Sequence, residues 1–143
     1  MADAFYDEFR NGIFGNGTHA QPDLDTNDIR VGLRDEGTTA LNLATQIDVA
    51  DVRSALVGTD TALAGKTVGS VGVGVFDHDD ETYPSLSGNS VESLDYFDFA
   101  TATDATSPMI ANIDSWTGLP FTPSGGDLIL VPASGGVFQL TAN

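Results

Sequence analysis

Val91-Glu92-Ser93-Leu94-Asp95-Tyr96-Phe97-Asp98-Phe99-Ala100 is the stretch on which the fold turns. Side chains of a strand alternate between faces, so Tyr96 and Asp98 share one face and Phe97 and Phe99 the other. The second pair is the one expected in the core. Around this stretch, short apolar runs recur between turn residues: Ile29 to Arg34, Ala55 to Val57, Ala62 to Thr67, Val71 to Phe76, Pro108 to Ile113, Leu128 to Val131 and Val137 to Thr141. Glycines and prolines fall largely between the runs, and the acids are mostly Asp, which favours turns and caps over helix interiors. Gly69, Gly72 and Gly74 interleave with Val68, Val71, Val73 and Val75, so that part of a strand either approaches another backbone closely or carries a bulge.

The pattern predicts a mainly-β fold, an antiparallel two-sheet sandwich of jelly-roll type, with residues 1–143 as a single domain. At this length a chain buries roughly 68–70% of the surface it exposes when unfolded, so no covalent staple is needed. One short helix is expected over residues 2–11, inside an N-terminal helical segment 1–14. Ala2, Phe5, Tyr6 and Phe9 form its apolar stripe, acids occupy its first turn, and Gly12, Gly15 and Gly17 end it. A stripe so apolar must dock on its own sandwich or on a neighbour.

The charge balance is extreme: 21 Asp and Glu stand against 5 Lys and Arg, a formal charge of -16. Self-repulsion on that scale opposes the compact state unless cations screen it, and at molar salt the Debye length falls to about 3 Å. Hydrophobic residues still make up 41% of the chain, with carboxylates scattered among apolar runs, so the sequence is that of a folding domain and not of an acidic tail. The composition points to a high-salt environment, that of a salt-loving organism or of a virus that infects one.

Several functional classes are disfavoured. Phosphate binding draws on clustered basic residues, whereas Arg10, Arg30, Arg34, Arg53 and Lys66 are dispersed, so neither nucleic acid nor an anionic membrane is expected as a partner. No stretch approaches the roughly 18 continuous apolar residues of a membrane span. The first ten residues carry three acids before Arg10, the reverse of a signal peptide's basic start. Cysteine is absent, which excludes disulfides and thiolate zinc sites.

The remaining motifs are short. Gly65-Lys66-Thr67 matches the end of a phosphate-binding loop, but the position of the loop's first glycine is Asp60 and a Val/Gly strand follows where a helix is required. Asp77-His78-Asp79-Asp80-Glu81 is oxygen-rich in the way calcium requires, with Asp77, Asp79 and Asp80 as candidate ligands; Asp23, Asp25 and Asp28 form a second such loop. Neither has EF-hand spacing, neighbouring side chains seldom converge on one point, and solvated acidic loops are the simpler reading. No cofactor is expected. No Gly-x-Ser-x-Gly elbow is present, and His19 and His78 lie in loop-like surroundings, so no catalytic residues are assigned and the chain is not read as an enzyme. Asn16-Gly17-Thr18 is a glycosylation tripeptide in a Gly-rich loop.

The least ordinary string runs from Asp114 through Trp116, Leu119-Pro120-Phe121 and Gly125-Gly126 to Asp127. It reads as a rigid elbow between strands, with Pro120 and Pro123 fixing φ, Gly125-Gly126 turning the chain and Asp127 starting the next strand. With Ala4-Phe5-Tyr6-Asp7, Asp28-Ile29-Arg30-Val31 and Val75-Phe76-Asp77-His78-Asp79-Asp80, in that order along the chain, it resembles a family of small structural proteins of tailed viruses, the head decoration or cement proteins. The resemblance implies a virion component on the capsid surface, with the major capsid protein and further copies of itself, as a homotrimer, for partners. A tail or fibre component is the alternative, and a soluble salt-adapted binding domain the third reading. Phe5, Tyr6, Phe9, Trp116, Leu119 and Phe121 are the candidate interface residues.

Overall fold

The computed structural model describes residues 3–140. Ten antiparallel strands and one helix follow the chain as β1 (Ala4–Phe5), α1 (Asp7–Ile13), β2 (Ile29–Arg34), β3 (Leu56–Val57), β4 (Thr67–Val68), β5 (Val75–Asp77), β6 (Glu81–Tyr83), β7 (Ser93–Asp98), β8 (Met109–Ile113), β9 (Leu128–Leu130) and β10 (Phe138–Gln139). The fold is mainly β, with a short N-terminal helix, as the pattern predicts. The principal sheet has the order β1-β8-β7-β2-β3; β10-β5-β4 and β6-β9 form two smaller sheets. Thus the layer over the principal sheet is divided into two pieces.

Register explains which residues meet. Ile29, Val31 and Leu33 of β2 lie opposite Asp98, Tyr96 and Leu94 of β7, and Tyr96 lies opposite Ala111 of β8. Ile29, Val31, Leu33, Leu94, Tyr96 and Ala111 form the main core with Phe76 of β5, Tyr83 of β6 and Leu130 of β9, so both small sheets pack on the same face. Fully burying one such aliphatic side chain contributes about 1.5–3 kcal/mol. Phe76 and Phe138 stack with ring centroids 4.9 Å apart, and both meet Tyr96 edge-on.

The opposite face of the principal sheet is covered as well. Short 3-10 turns at Val49–Asp51, Arg53–Ala55 and Asp104–Thr106 lie on that side with the start of α1. Tyr6, Val49, Val52, Phe97 and Met109 make a second core there, against which Phe99 packs. Phe97 is therefore buried as expected, but Tyr96, which alternation set on the other face, is fully buried too. Alternation distinguishes the two faces of a strand without saying that either is wet, and every residue of β7 is buried.

The expected helix over 2–11 is shorter and displaced. Ala4 and Phe5 are extended because their backbones pair with Asn112 and Ala111 of β8, so α1 begins only at Asp7. Tyr6 supplies no side-chain cap; the Asp7 N–H is instead satisfied by the Leu43 carbonyl at 2.9 Å. The apolar stripe still works across the strand–helix junction, since Phe5 and Phe9 stack at 5.3 Å; its Ala2 lies outside the described residues. Gly12 sits inside α1, not after it, and a Cβ on Gly17 would stand 2.9 Å from the Gly12 backbone, which is why the returning loop needs glycine there.

Three further differences concern strands. Ala62 makes only an isolated bridge to Arg30, and residues 69–74 form a turn between β4 and β5, with Gly69 and Gly74 at positive φ. Strands β1 and β6 are too short, and β6 too polar, to stand out from the sequence. The run expected over Val137 to Thr141 is ordered as Phe138–Gln139, its Thr141 lying outside the described residues. The elbow 114–127 is stitched along residues 85–91: Phe121 bridges Val91, Ser124 bridges Ser87, and Gly125 donates to the Leu86 carbonyl at 2.7 Å.

Candidate functional site

The strand register places a charged group at the centre of the second face. Arg34 of β2 and Asp95 of β7 point away from the main core, both fully buried, and Arg34 Nη1 donates to Asp95 Oδ2 at 2.8 Å. Asp95 Oδ1 accepts from the Tyr6 hydroxyl at 2.7 Å and from Asn112 Nδ2 at 2.8 Å. Arg34 Nη2 donates to the Thr39 carbonyl at 2.9 Å and to Gln46 Oε1 at 3.1 Å. Burial, reinforced by the neighbouring Asp95 carboxylate, raises the Tyr6 phenol far above its ordinary value, so it stays protonated and donates. The network ties α1, β2, β7, β8 and the 39–46 loop together. It is enclosed, and within it the buried Arg34 Nε has no hydrogen-bond partner.

Arg30 and Arg53 build a second cluster at the surface. Asp60 accepts from both, Asp28 pairs with Arg30 at 2.8 Å, and Asp104 pairs with Arg53 at 2.7 Å. The Arg30 guanidinium lies 4.3 Å over the Phe99 ring. Hydrogen bonds from Arg53 hold the Asp104 carboxyl below its ordinary range. Asp60, the residue that breaks the phosphate-loop pattern, thus anchors two arginines, and Lys66 Nζ donates to the Leu63 carbonyl at 2.8 Å, bracing its own turn. Arg10 pairs with Asp7. Every basic side chain is committed within the chain, which leaves no free cationic patch among the described residues.

The Asp77–Asp80 stretch lines an open cleft of about 490 Å³ with Pro132, Ala133 and Ser134. His78 is drawn inward: Nδ1 lies 2.5 Å from the Asp79 carbonyl and Nε2 3.0 Å from the buried Tyr96 hydroxyl. Burial pushes its pKa below the ordinary imidazole value, so the ring is neutral, donating from Nδ1 and accepting at Nε2. Asp79 turns towards Gly65, and among the described residues no group of three or more His, Asp or Glu side chains is arranged to hold a metal ion. Asp77, Asp79 and Asp80 therefore do not converge. The second acidic loop is dissolved too: Asp28 pairs with Arg30, and the bond between Asp23 and Asp25 pushes Asp23 down and Asp25 up. His19 lies between Glu8 and Asp48, at 3.3 and 3.1 Å.

The six candidate interface residues are not equivalent. Tyr6 and Phe9 are buried in the chain's own cores, so the stripe docks at home; Phe5, Trp116, Leu119 and Phe121 are half-buried and pack against the main core. The large apolar side chains that remain exposed are others: Ile13, Phe14, Val68, Val71, Val73, Ile129, Val131 and Leu140. Val71 and Val73 fall in a run whose pattern predicts a strand, and the structure places both in the turn between β4 and β5. No helix among the described residues is long and apolar enough to cross a membrane. In comparisons with known proteins, no family model matches the chain and no curated protein matches it.

Proposed function

We propose that the chain is a structural protein of a virus particle, a decoration or cement protein on the head of a tailed virus whose host lives at high salt. The observation that carries the reading is the family resemblance, whose strings fall on framework. Ala4 to Asp7 spans β1 and the start of α1, Asp28 to Val31 opens β2, Val75 to Asp80 spans β5 and the cleft loop, and 114–127 is the stitched connection into β9. Residues that shape sheets and connections suit a protein whose work is to present a surface.

Binding by such a protein rests on apolar and backbone contacts more than on salt bridges, since molar salt screens exposed ion pairs and the arginines are already engaged. A symmetric oligomer, a homotrimer on local threefold axes of the shell, fits this role. Mass spectrometric copy number on purified particles tests it. Hundreds of copies spread over the head are expected; a few copies at one vertex would favour a tail or fibre component. Absence from the particle would overturn both and leave a soluble binding domain.

A further inference from the structure

The chain leaves α1 through a turn whose backbone bonds are complete. Gly15, at a φ of 73°, is the first residue past the cap Phe14, and its N–H donates to the Gly12 carbonyl at 2.9 Å. The Asn16 N–H reaches back to the Asn11 carbonyl, also at 2.9 Å. This is the Schellman ending of a helix, and it fixes the backbone on the N-terminal side of Asn16. On the C-terminal side Gly17 lies against α1, where a Cβ would stand 2.9 Å from the Gly12 Cα, and the His19 N–H donates to Glu8 Oε1 at 2.7 Å. Asn16 is the exposed residue between these two attachments.

An asparagine followed by glycine carries its own reaction partner. The nitrogen of the next residue can attack the side-chain amide carbon, and glycine, lacking a Cβ, leaves that nitrogen unshielded. Asn27, Asn42, Asn89 and Asn112 have their side chains engaged, respectively by Asp98, the Ala44 N–H, Asp35 and the Ser93–Asp95 pair, and each precedes a residue with a side chain. Asn11 and Asn16 both precede glycine, and neither side chain has a hydrogen-bond partner among the described residues. The backbone separates the two. Asn11 and Gly12 lie inside α1, whose ladder engages the Gly12 N–H and whose dihedrals keep that nitrogen away from the Asn11 side chain. Asn16 stands in irregular backbone, and the Gly17 N–H donates to no described residue.

We propose that Asn16 is a site of spontaneous deamidation, with water as the only co-reactant. The Gly17 nitrogen gives up its proton and bonds to Asn16 Cγ, the Cγ–Nδ2 bond breaks, and ammonia leaves a five-membered succinimide. Water then opens the ring. Cleavage of the bond from Cγ to the Gly17 nitrogen gives aspartate; cleavage of the bond from the backbone carbonyl carbon to that nitrogen gives isoaspartate, whose chain continues through Cβ and Cγ. Nothing is oxidised or reduced, and the sum is an amide and water giving a carboxylate and ammonium. Both products add a negative charge beside the C-terminal end of α1, where the helix dipole disfavours it. Isoaspartate also lengthens the backbone by one atom between the fixed turn and Gly17. It therefore lifts Gly17 off the Gly12 backbone and draws the His19 N–H away from Glu8. Because no enzyme is needed, the change marks the age of any copy that synthesis does not replace, and it holds whatever the chain's partners are.

The test is to age the full chain in mildly alkaline molar potassium chloride, folded and in urea, in heavy-oxygen water that labels each new carboxyl. Trypsin cuts after Arg10 and Arg30, which puts Asn11 and Asn16 on one peptide, and electron-transfer fragmentation locates the label and distinguishes isoaspartate from aspartate. In the folded protein Asn16 should convert while Asn11 stays intact; in urea the two should convert at similar rates. Folded protein in which Asn11 keeps pace with Asn16, or in which Asn16 stays intact although it converts in urea, would overturn the site. The isoaspartyl fraction, separated by chromatography, should melt below the encoded Asn16→Asp variant, which carries the same charge on a backbone of normal length. Equal midpoints would overturn the displacement of Gly17 and His19.

Discussion

Arg34 and Asp95 meet at 2.8 Å in the fully buried second face of the principal sheet, in a chain that has only five Lys and Arg to spend against 21 acids. Placing one of those cations where no solvent reaches it is a structural choice with an energetic consequence. Removing one partner of such a pair leaves the other charge buried and uncompensated, at a cost of about 3–5 kcal/mol.

Asp95→Ala should therefore destabilise the protein by about 3–5 kcal/mol, since Tyr6 and Asn112 also lose their acceptor. Arg34→Met should cost a comparable amount. The double variant should lose clearly less than the sum of the two, because neither charge is then stranded. Urea unfolding at fixed molar salt measures all three, and strict additivity would refute the coupling.

Salt should stabilise the fold strongly. Five basic residues cannot neutralise 21 acids, and the arginines are already engaged with Asp7, Asp28, Asp60, Asp95 and Asp104. The melting temperature should climb steadily from low to molar potassium chloride. A midpoint indifferent to salt would remove the inference of a high-salt environment.

Much of the sheet was legible in the sequence, and the reasons for the exceptions are physical. β2, β7 and β8 are five or six residues long and carry recurring large apolar side chains, so their patterns stand out. β1 was hidden because Phe5, Tyr6 and Phe9 have helical spacing although Phe5 is extended; pairing with β8, remote in sequence, decides its conformation. The burial of Arg34 and Asp95 was hidden for a similar cause. Alternation sets Asp95 on the face of Phe97, but its partner Arg34 stands on a strand remote in sequence, and only the turns packed over that face make the pair interior. The acidic clusters are the opposite case: Asp77, Asp79 and Asp80 are close in sequence and line one cleft, yet among the described residues no group of three or more His, Asp or Glu is arranged to hold a metal ion.

Calcium should accordingly act only through ionic strength. Binding to the native state alone would raise the midpoint by mass action. Melts in chelator and in millimolar calcium, at the same high ionic strength, should coincide. An upward shift abolished by Asp79→Asn would reinstate the loop as a site.

His78 should give the protein a distinct sensitivity to mild acid. The ring is buried against Tyr96 and Phe76, and burial lowers its pKa despite the nearby carboxylates of Asp77, Asp79 and Glu81, which pull the other way. Its folded pKa therefore lies below the unfolded value of about 6.5. Between those two values the unfolded chain binds the extra proton, so the neutral ring's contribution is complete above about pH 6.5 and is lost as pH falls from there towards the folded pKa. Asp35, held down by Thr38 and Asn89, and Asp104, held down by Arg53, act in a separate window. Their contributions are complete above the ordinary carboxyl value of about 3.9 and are lost only as pH falls below it. Thermal melts at constant molar salt should thus show two descents on acidification, the first beginning near neutrality. In His78→Gln the overall midpoint drops, since the hydrogen bonds to Asp79 and Tyr96 are disturbed, but the first descent should disappear while the second persists. An undiminished first descent in that variant would assign it to another group and sink the account.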